Sequence, residues 1–508
     1  MRPRVWFFGI KSGGKTGFLP FVSLRLSNSA ASVVRSNSED MNTPPQAHLA
    51  RLIRSVRSLA LSPCARLIAD TRGSIAIQFG LLAICIIVMA GGAIDYARIA
   101  AIRNALQEAA DAAVTASVAK TSAGVLAAQA MALDGPIPAG QTDALNVFAA
   151  NAANTVKTLI SLSSGSTPLA SNAAVTKTGL TVTSSLTYTT NVPTVFLGVI
   201  GIPTWTVTGT SQALTNLAPF IDFYLLLDNT PSMGIGATTS DIQTMVNNTS
   251  DLCAFACHEM DTSPNDYYGL AKSLGVQMRI DVVRQATQSL TTTAQNSETI
   301  PNQFRMAVYT FGSSAAAIGF TTVASINSNL SQVSTQANGV DVMTVPYQGY
   351  NNDQDTDFDT VLSSVSTQIP TPGDGSSYLT PQKVLFFVSD GLADAYYPTP
   401  GTSPNQPLYS CSQANLGGGR CQEPINTSTC AAIKAKGIRI AVLYTTYFPL
   451  TTNSWYNSTV APWSSQIATN MQSCASPGLF FQVSPTQGIS AAMTALFNLA
   501  LQQVRITN

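Results

Sequence analysis

The stretch "SIAIQFGLLAICIIVMAGGAI", Ser74 to Ile94, runs for 21 residues without a formal charge, and no other feature limits the fold so strongly. A helix of about 20 apolar residues crosses a hydrocarbon core, because each backbone N–H and C=O must find its partner within the segment there. A cleaved signal sequence would have a shorter apolar region, about 7–15 residues, followed by a small-residue cleavage site. The stretch therefore predicts one transmembrane helix. Arg51, Arg54, Arg57, Arg66 and Arg72 precede it, which places the amino end on the cytoplasmic side of the inner (cell) membrane and the bulk of the chain outside, periplasmic or extracellular.

Charge and cysteine usage agree with that orientation. The net charge of zero conceals 11 Lys/Arg against 3 Asp/Glu in residues 1–73, and the opposite excess in the remainder. Only 10% of the chain is charged, low for a cytosolic protein and in keeping with export. Six of the 8 cysteines (Cys253, Cys257, Cys411, Cys421, Cys430 and Cys474) fall in the exterior part. In an oxidising compartment an even number predicts three disulfides, with fifteen connectivities open.

Residues 1–73 form a basic segment without sustained periodicity, expected to be largely disordered, and Met41 offers an alternative start. Within it "GIKSGGKT", Gly9 to Thr16, matches the phosphate-loop pattern, with Gly14, Lys15 and Thr16 as its functional end. A working phosphate loop must open a helix, and Pro20 interrupts the one required here. An NTPase-linked factor is the reading this motif would support.

Beyond the span, "DYARIAAIRNALQEAADAAVTASVAKT" continues as helix. Ala105, Ala109, Ala112, Ala113 and Ala116 give it a face of small residues, suited either to a partner helix or to packing on its own domain. A second helix over 142–160 and the Thr/Ser-rich alternation that follows predict a small α+β membrane-proximal domain over 95–217. From residue 218 the rhythm changes. "FIDFYLLLD", "FRMAVYTFG", "KVLFFVSDG", "GIRIAVLYTT" and "GLFFQVS" read as buried strands separated by amphipathic helices, which predicts a doubly wound α/β domain over 218–508. Cysteine-containing insertions are expected near 250–268 and 393–430.

Chemistry concentrates where strands end, as expected for an open α/β sheet. "FYLLLDNTPSMG" stops at Asp228, with hydroxyls on Thr230 and Ser232; Thr356 precedes a helix, and Asp390 ends the strand in "VSDG". Carboxylate and hydroxyl oxygens are hard ligands for Mg²⁺, Mn²⁺ or Ca²⁺. So few formal charges would leave a bound ion electrophilic, open to a carboxylate from a partner. The run "DQDTDFD" lacks the Gly and Glu of a calcium loop, having Phe358 and Ser364 there, and reads as a solvated acidic loop. "CAFACH", Cys253 to His258, has one residue too many for haem attachment and too few companions for zinc. His258 is the sole exterior histidine, so neither a Ser-His-Asp nor a Cys-His arrangement can be assembled, and no enzymatic activity is expected.

These residues carry a resemblance. Residues 218–508 resemble a von Willebrand factor A domain (a Rossmann-like fold), whose metal-ion-dependent adhesion site has the pattern DxSxS, then Thr, then Asp. The first segment here is Asp228-Asn-Thr230-Pro-Ser232, with Thr in place of the first Ser but the hydroxyl kept. The resemblance implies that Thr230 and Ser232 bind the ion directly, most often Mg²⁺, while Asp228, Thr356 and Asp390 act partly through water. The stretch with "RGSIAIQF", "AIDYAR" and "LQEAADAAVTA" is similar to the amino-terminal segment of TadG-like proteins of tight-adherence (Flp) pilus assembly. Related pilin-like TadE proteins have Glu five residues after the cleavage Gly; counted from Gly73 this chain has Gln78, so a retained anchor is expected. Together the resemblances imply a membrane-anchored pilus-assembly component that grips an acidic side chain of another pilus-assembly or pilin-like protein, with no nucleic-acid partner. A surface-displayed or released adhesin is the alternative they leave.

Overall fold

The computed structural model describes residues 72–162, 169–260, 266–315, 317–347, 356–396, 411–416, 420–447, 449, 454–484 and 488–506. Gly9–Thr16 and the rest of the basic segment up to residue 71 lie outside them, as do Asp353 and Asp355. The chain divides into two compact units, Met1–Ile84 and Cys85–Asn508. Helix α1, Arg72–Ser117, is continuous over 46 residues and is long and apolar enough to cross a membrane. Its side chains in the second unit stay outward through the apolar run, with Ile86, Ile87 and Met89 all exposed. From Ile99 onward one face turns inward.

That face joins the membrane-proximal fold. After α1 come α2 (Ala123–Ala130), β1 (Gly135–Pro136), α3 (Pro138–Leu162), β2 (Ala170–Thr178), β3 (Thr181–Pro193), the single turn α4 (Phe196–Val199) and β4 (Thr204–Asn216). The four strands form an antiparallel sheet in the order β1-β2-β3-β4. Leu106, Ala109, Ala110 and Ala113 of α1 pack with Phe148 of α3 and with Leu186 and Tyr188 of β3. The small-residue face thus serves the helix's own domain. It is also rotated from the sequence reading: Ala112 is exposed while Ala110 is buried. Apolar/polar alternation along β3 matches the pleat, since only one face of this sheet is covered.

The α/β part begins with β5 (Ile221–Leu227), followed by α5 (Thr239–Asn248), β6 (His258–Glu259), α6 (Tyr267–Ser273), α7 (Arg279–Ser297), β7 (Phe304–Ser314) and β8 (Ala317–Asn327). Next come α8 (Leu330–Ala337), β9 (Thr344–Val345), α9 (Phe358–Gln368), β10 (Gln382–Ser389), β11 (Leu392–Tyr396), β12 (Ala414–Asn415) and β13 (Arg420–Pro424). The chain continues as α10 (Thr427–Ala435), β14 (Arg439–Thr445), α11 (Ser454–Thr459), α12 (Ser465–Cys474), β15 (Phe480–Val483) and α13 (Ile489–Ile506). The main sheet runs β15-β14-β10-β5-β7-β9-β6, its pairings parallel, with β8 antiparallel on β7.

Strand β5 is buried along its whole length, and successive side chains feed two cores. Phe223, Leu225 and Leu227 meet α7, α8 and α13 on one face, while Tyr224 and Leu226 meet α9, α10 and α12 on the other. This sandwiching between two helix layers is why the strand reads as an unbroken apolar run. The chain leaves β5 toward β7 on one side and returns on the other as β10, β14 and β15. The direction of winding therefore reverses between β5 and β10.

Two features of the expected insertions change. Among the described residues there are two disulfides, Cys411–Cys421 and Cys430–Cys474, rather than three. The second joins α10 to α12 and so belongs to a helix layer of the α/β core, outside the insertion to which Cys430 was assigned. The 393–430 region contributes a small antiparallel sheet, β11-β13-β12. Cys253 and Cys257 are not bridged to one another; the 250–268 region is held instead by Tyr267 donating to Asp251 (2.7 Å), by Tyr268 donating to Asp341, and by Ala256 N donating to Gly234 O (3.0 Å).

The connection from β4 to β5 is short and tied down. Leu217 N donates to Leu180 O (2.7 Å), and Phe220 N donates to Gly375 O (2.9 Å). Beside it Lys177 of β2, buried at 1% exposure, links the end of α2 to the loop before β10: its Nζ donates to Met131 O at 2.7 Å and to Ser376 O at 2.9 Å.

Candidate metal centre

Ligands of open α/β sheets bind beyond the carboxyl ends of the strands, at the point where the winding reverses. Here that point lies between β5 and β10, and the residues following the two strands are Asp228 and Asp390. Asp228 N donates to Val388 O at 2.9 Å, continuing the ladder and aligning the two strand ends. The Asp228 carboxylate is fully buried. Its Oδ1 accepts from Thr230 N (3.0 Å) and Thr230 Oγ1 (2.7 Å), and its Oδ2 accepts from Ser389 Oγ at 2.6 Å. Thr230 Oγ1 spends its proton on Asp228, which leaves its lone pairs beside Ser232 Oγ, 3.2 Å away.

The neighbouring loops are anchored by their own chemistry. Asn229 reaches across to β7, donating to Gly312 O (2.8 Å) and accepting from Phe311 N (2.9 Å). After β10, Gly391 N donates to Ser389 Oγ at 2.9 Å, and Gly391 takes a φ of 75° that an L side chain would strain. Thr356 is tied to the same segment through its backbone, donating to Asp394 O (3.0 Å) and accepting from Asp394 N (3.2 Å). Asp357 then caps α9, accepting from Thr360 N at 3.0 Å. Asp359 accepts from Thr429 Oγ1 at 2.6 Å. These two acids of the "DQDTDFD" run are thus structural partners rather than solvated charges.

A residue that sequence reading did not single out completes the cluster. Arg279 opens α7 and is 1% exposed. Its Nη1 lies 3.6 Å from Asp390 Oδ2, and its Nη2 donates to Thr446 O at 3.3 Å. Burial pushes both carboxylates above the usual range. For Asp390 the charge of Asp228 adds to that effect, while Arg279 and the Ser232 hydroxyl oppose it. When both carboxylates are ionised, they and the one guanidinium leave an excess negative charge in a low-dielectric place, relieved either by protonation, as the raised values reflect, or by a bound cation.

Asp390 Oδ2 makes the same point geometrically: it is buried and accepts no hydrogen bond among the described residues, its ion-pair partner Arg279 standing off at 3.6 Å. Buried acceptors are ordinarily hydrogen-bonded, so an oxygen whose charge partner stands beyond hydrogen-bond reach has capacity for a further group. Hydroxyls on Thr230 and Ser232, hard carboxylate oxygens on Asp228 and Asp390, and one surplus negative charge fit a divalent cation such as Mg²⁺. Asp228, Thr230, Ser232 and Asp390 form one cluster, and Thr356 sits on the loop joined to it. His258 stands apart, its Nδ1 3.1 Å from Val342 O and its ring stacked on Tyr268 with centroids 3.9 Å apart.

No protein-family model and no curated protein matches the chain. Among solved structures it is similar to the conserved hypothetical protein BatB from Bacteroides thetaiotaomicron, with 11% identity over 56% of this chain and 99% of that one, at a TM-score of 0.29. It is similar also to the vWF domain of the type V pili tip protein Mfa5 from Porphyromonas gingivalis, with 11% identity over 57% of this chain and 97% of that one, at a TM-score of 0.33. A third is the pilus adhesin RrgA from Streptococcus pneumoniae, with 13% identity over 65% and 49% of the two chains, at a TM-score of 0.27.

Proposed function

We propose that the protein is a membrane-anchored component of tight-adherence pilus assembly and that the centre between β5 and β10 is a metal-ion-dependent adhesion site. Its α/β domain is then of the von Willebrand factor A type, acting by binding rather than catalysis. The observation that carries the reading is the buried Asp390 Oδ2, without a hydrogen bond and 3.6 Å from Arg279 Nη1, beside Asp228, Thr230 and Ser232. Thr230, Ser232, Asp228, Asp390 and Thr356 would hold the ion, and a bound Mg²⁺ would supply an open coordination position for a carboxylate. The chain's own residues supply the rest. Thr230 and Ser389 fix the Asp228 carboxylate in one orientation, and Arg279 limits the negative charge, so that an acidic side chain of a partner is attracted rather than repelled. Partners offering such a group are other pilus-assembly or pilin-like proteins in the same envelope.

The test uses the full chain in detergent. Mg²⁺ should raise its thermal midpoint, by about 2.7 kcal/mol of stabilisation at 100 times the dissociation constant. Asp390→Asn, nearly isosteric, should lose that response and keep the fold. Pull-down from an envelope extract should recover pilus components in Mg²⁺ but not in chelator, and not with Asp228→Ala. A wild-type midpoint that Mg²⁺ leaves unmoved, or capture indifferent to chelator, refutes the reading.

A further inference from the structure

From Thr178 to Ile221 the chain contains no Asp, Glu, Lys, Arg or His. The centre of that run is the tip joining β3 to β4, "TVFLGVIGIP", Thr194 to Pro203. Val195, Val199, Ile200 and Ile202 are exposed there, Val199 at 81%, and Trp205 stands exposed at the start of β4. A globular domain in water gains nothing by presenting a charge-free apolar tip of this kind.

The tip is held against one place on α1. A Cβ on Gly91 would lie 2.3 Å from the Phe196 ring, so the contact needs glycine there, and one on Gly92 would lie a tight 3.3 Å from Leu197 Cδ2. One turn further along, buried Asp95 accepts from Val195 N (3.1 Å), Phe196 N (2.8 Å) and Leu197 N (2.9 Å). Arg98 pairs with Asp95 and donates to Pro193 O. The remaining turns close on themselves: Thr194 N donates to Pro203 O (3.0 Å), Ile202 N to Leu197 O (3.0 Å) and Gly201 N to Gly198 O (3.1 Å). Backbone N–H groups of the tip are thus met partly by Asp95 and partly by the tip itself, which lowers the cost of bringing them into hydrocarbon.

Gly91 and Gly92 belong to the uncharged stretch Ser74–Ile94. We infer that the β3–β4 tip enters the bilayer crossed by the chain's own helix, with Val199 and Ile200 among the lipid chains and Trp205 near the headgroups. The inference rests on reading Ser74–Ile94 as a membrane span. Lipid is the favoured occupant because the tip is continuous with the helix's apolar surface, carries no charge and brings an interfacial aromatic residue. The helix and the tip then make a two-point attachment that restricts tilting of the membrane-proximal domain against the membrane plane.

Tryptophan quenching in vesicles of phosphatidylcholine and phosphatidylglycerol, with and without acyl-chain bromine, tests this on the full chain. Three variants are compared with the parent: Val199→Trp at the tip, Ile87→Trp on α1 and Leu274→Trp on the α/β domain. Bromolipid should quench the added emission of Val199→Trp and Ile87→Trp but not that of Leu274→Trp. Quenching at residue 87 with none at residue 199 overturns the tip insertion and leaves the span standing. If residue 199 escapes bromolipid and is also shielded from aqueous acrylamide, a protein surface covers the tip, and the lipid proposal is likewise overturned. Absence of quenching at residue 87 overturns the span itself and the inference with it.

Discussion

Replacing Arg279 by methionine isolates the electrostatics of the proposed metal centre, because methionine keeps an apolar side chain of similar reach and removes the guanidinium. At the 3.6 Å separation of Arg279 Nη1 and Asp390 Oδ2, the attraction is about 4–5 kcal/mol for an effective dielectric constant of about 20. Most of that offsets the cost of burying the ions, but removing one partner leaves the other charged and dry. The expected loss is about 3–5 kcal/mol. In a domain of this size it corresponds to a fall in thermal midpoint of roughly 6–15 °C, measured on the full chain in EDTA by near-ultraviolet circular dichroism. The discriminating observation is the response to Mg²⁺. With the guanidinium gone the site has one more uncompensated negative charge, so the variant should bind the cation more tightly than wild type. A tenfold tighter site adds about 1.4 kcal/mol to the stabilisation at saturating metal. Arg279→Met should therefore recover more of its midpoint on Mg²⁺ addition than wild type gains. Equal increments in the two proteins would show that Arg279 does not sense the site. A variant as stable as wild type in EDTA would refute the charge accounting altogether.

Two further outcomes follow from the same geometry. Gly391→Ala places a methyl 2.6 Å from Met471 Cγ at a φ of 75°; it should cost about 1–3 kcal/mol in urea unfolding and weaken the Mg²⁺ response, since Asp390 is its neighbour. The Tyr267 phenol, held by its bond to Asp251 and by burial, is pushed up to about 12, above the ordinary value of about 10. A folded-state value raised in this way means that the protonated phenol's contribution is complete below pH of about 10 and is lost as pH rises through about 12. Tyr267→Phe should make the alkaline decline of the urea midpoint shallower over that window, and identical slopes would rule the contribution out.

The parallel sheet was readable because both its faces are covered, so β5 and β10 appear as apolar runs that stop at an acid. That Asp228, Thr230, Ser232 and Asp390 gather at adjoining strand ends was readable for the same reason, since polar oxygens directly after such runs stand out. Other features depend on partners distant in the chain. Strand β8 mixes Gly, Thr and Ala and gains its conformation from pairing with β7, which no local pattern announces. Ser389 stands beside Asp390 and was overshadowed by it. Arg279 carried a signal that went unused: it lies on the buried stripe of Val283, Ala286 and Leu290, and a cation on an apolar stripe implies a buried anion opposite. The third disulfide was an argument from parity, and parity says nothing of whether two sulfurs meet.

The Lys177 bridge and the short β4–β5 connection also govern how the protein responds to force. A pull applied at the strand ends of the α/β sheet reaches the membrane-proximal domain through a four-residue connection and direct hydrogen bonds, without a long tether to straighten first. If the proposed adhesion site holds a partner, tension would load it almost as fast as it rises, and the lifetime of that grip would be set at the site instead of by domain reorientation.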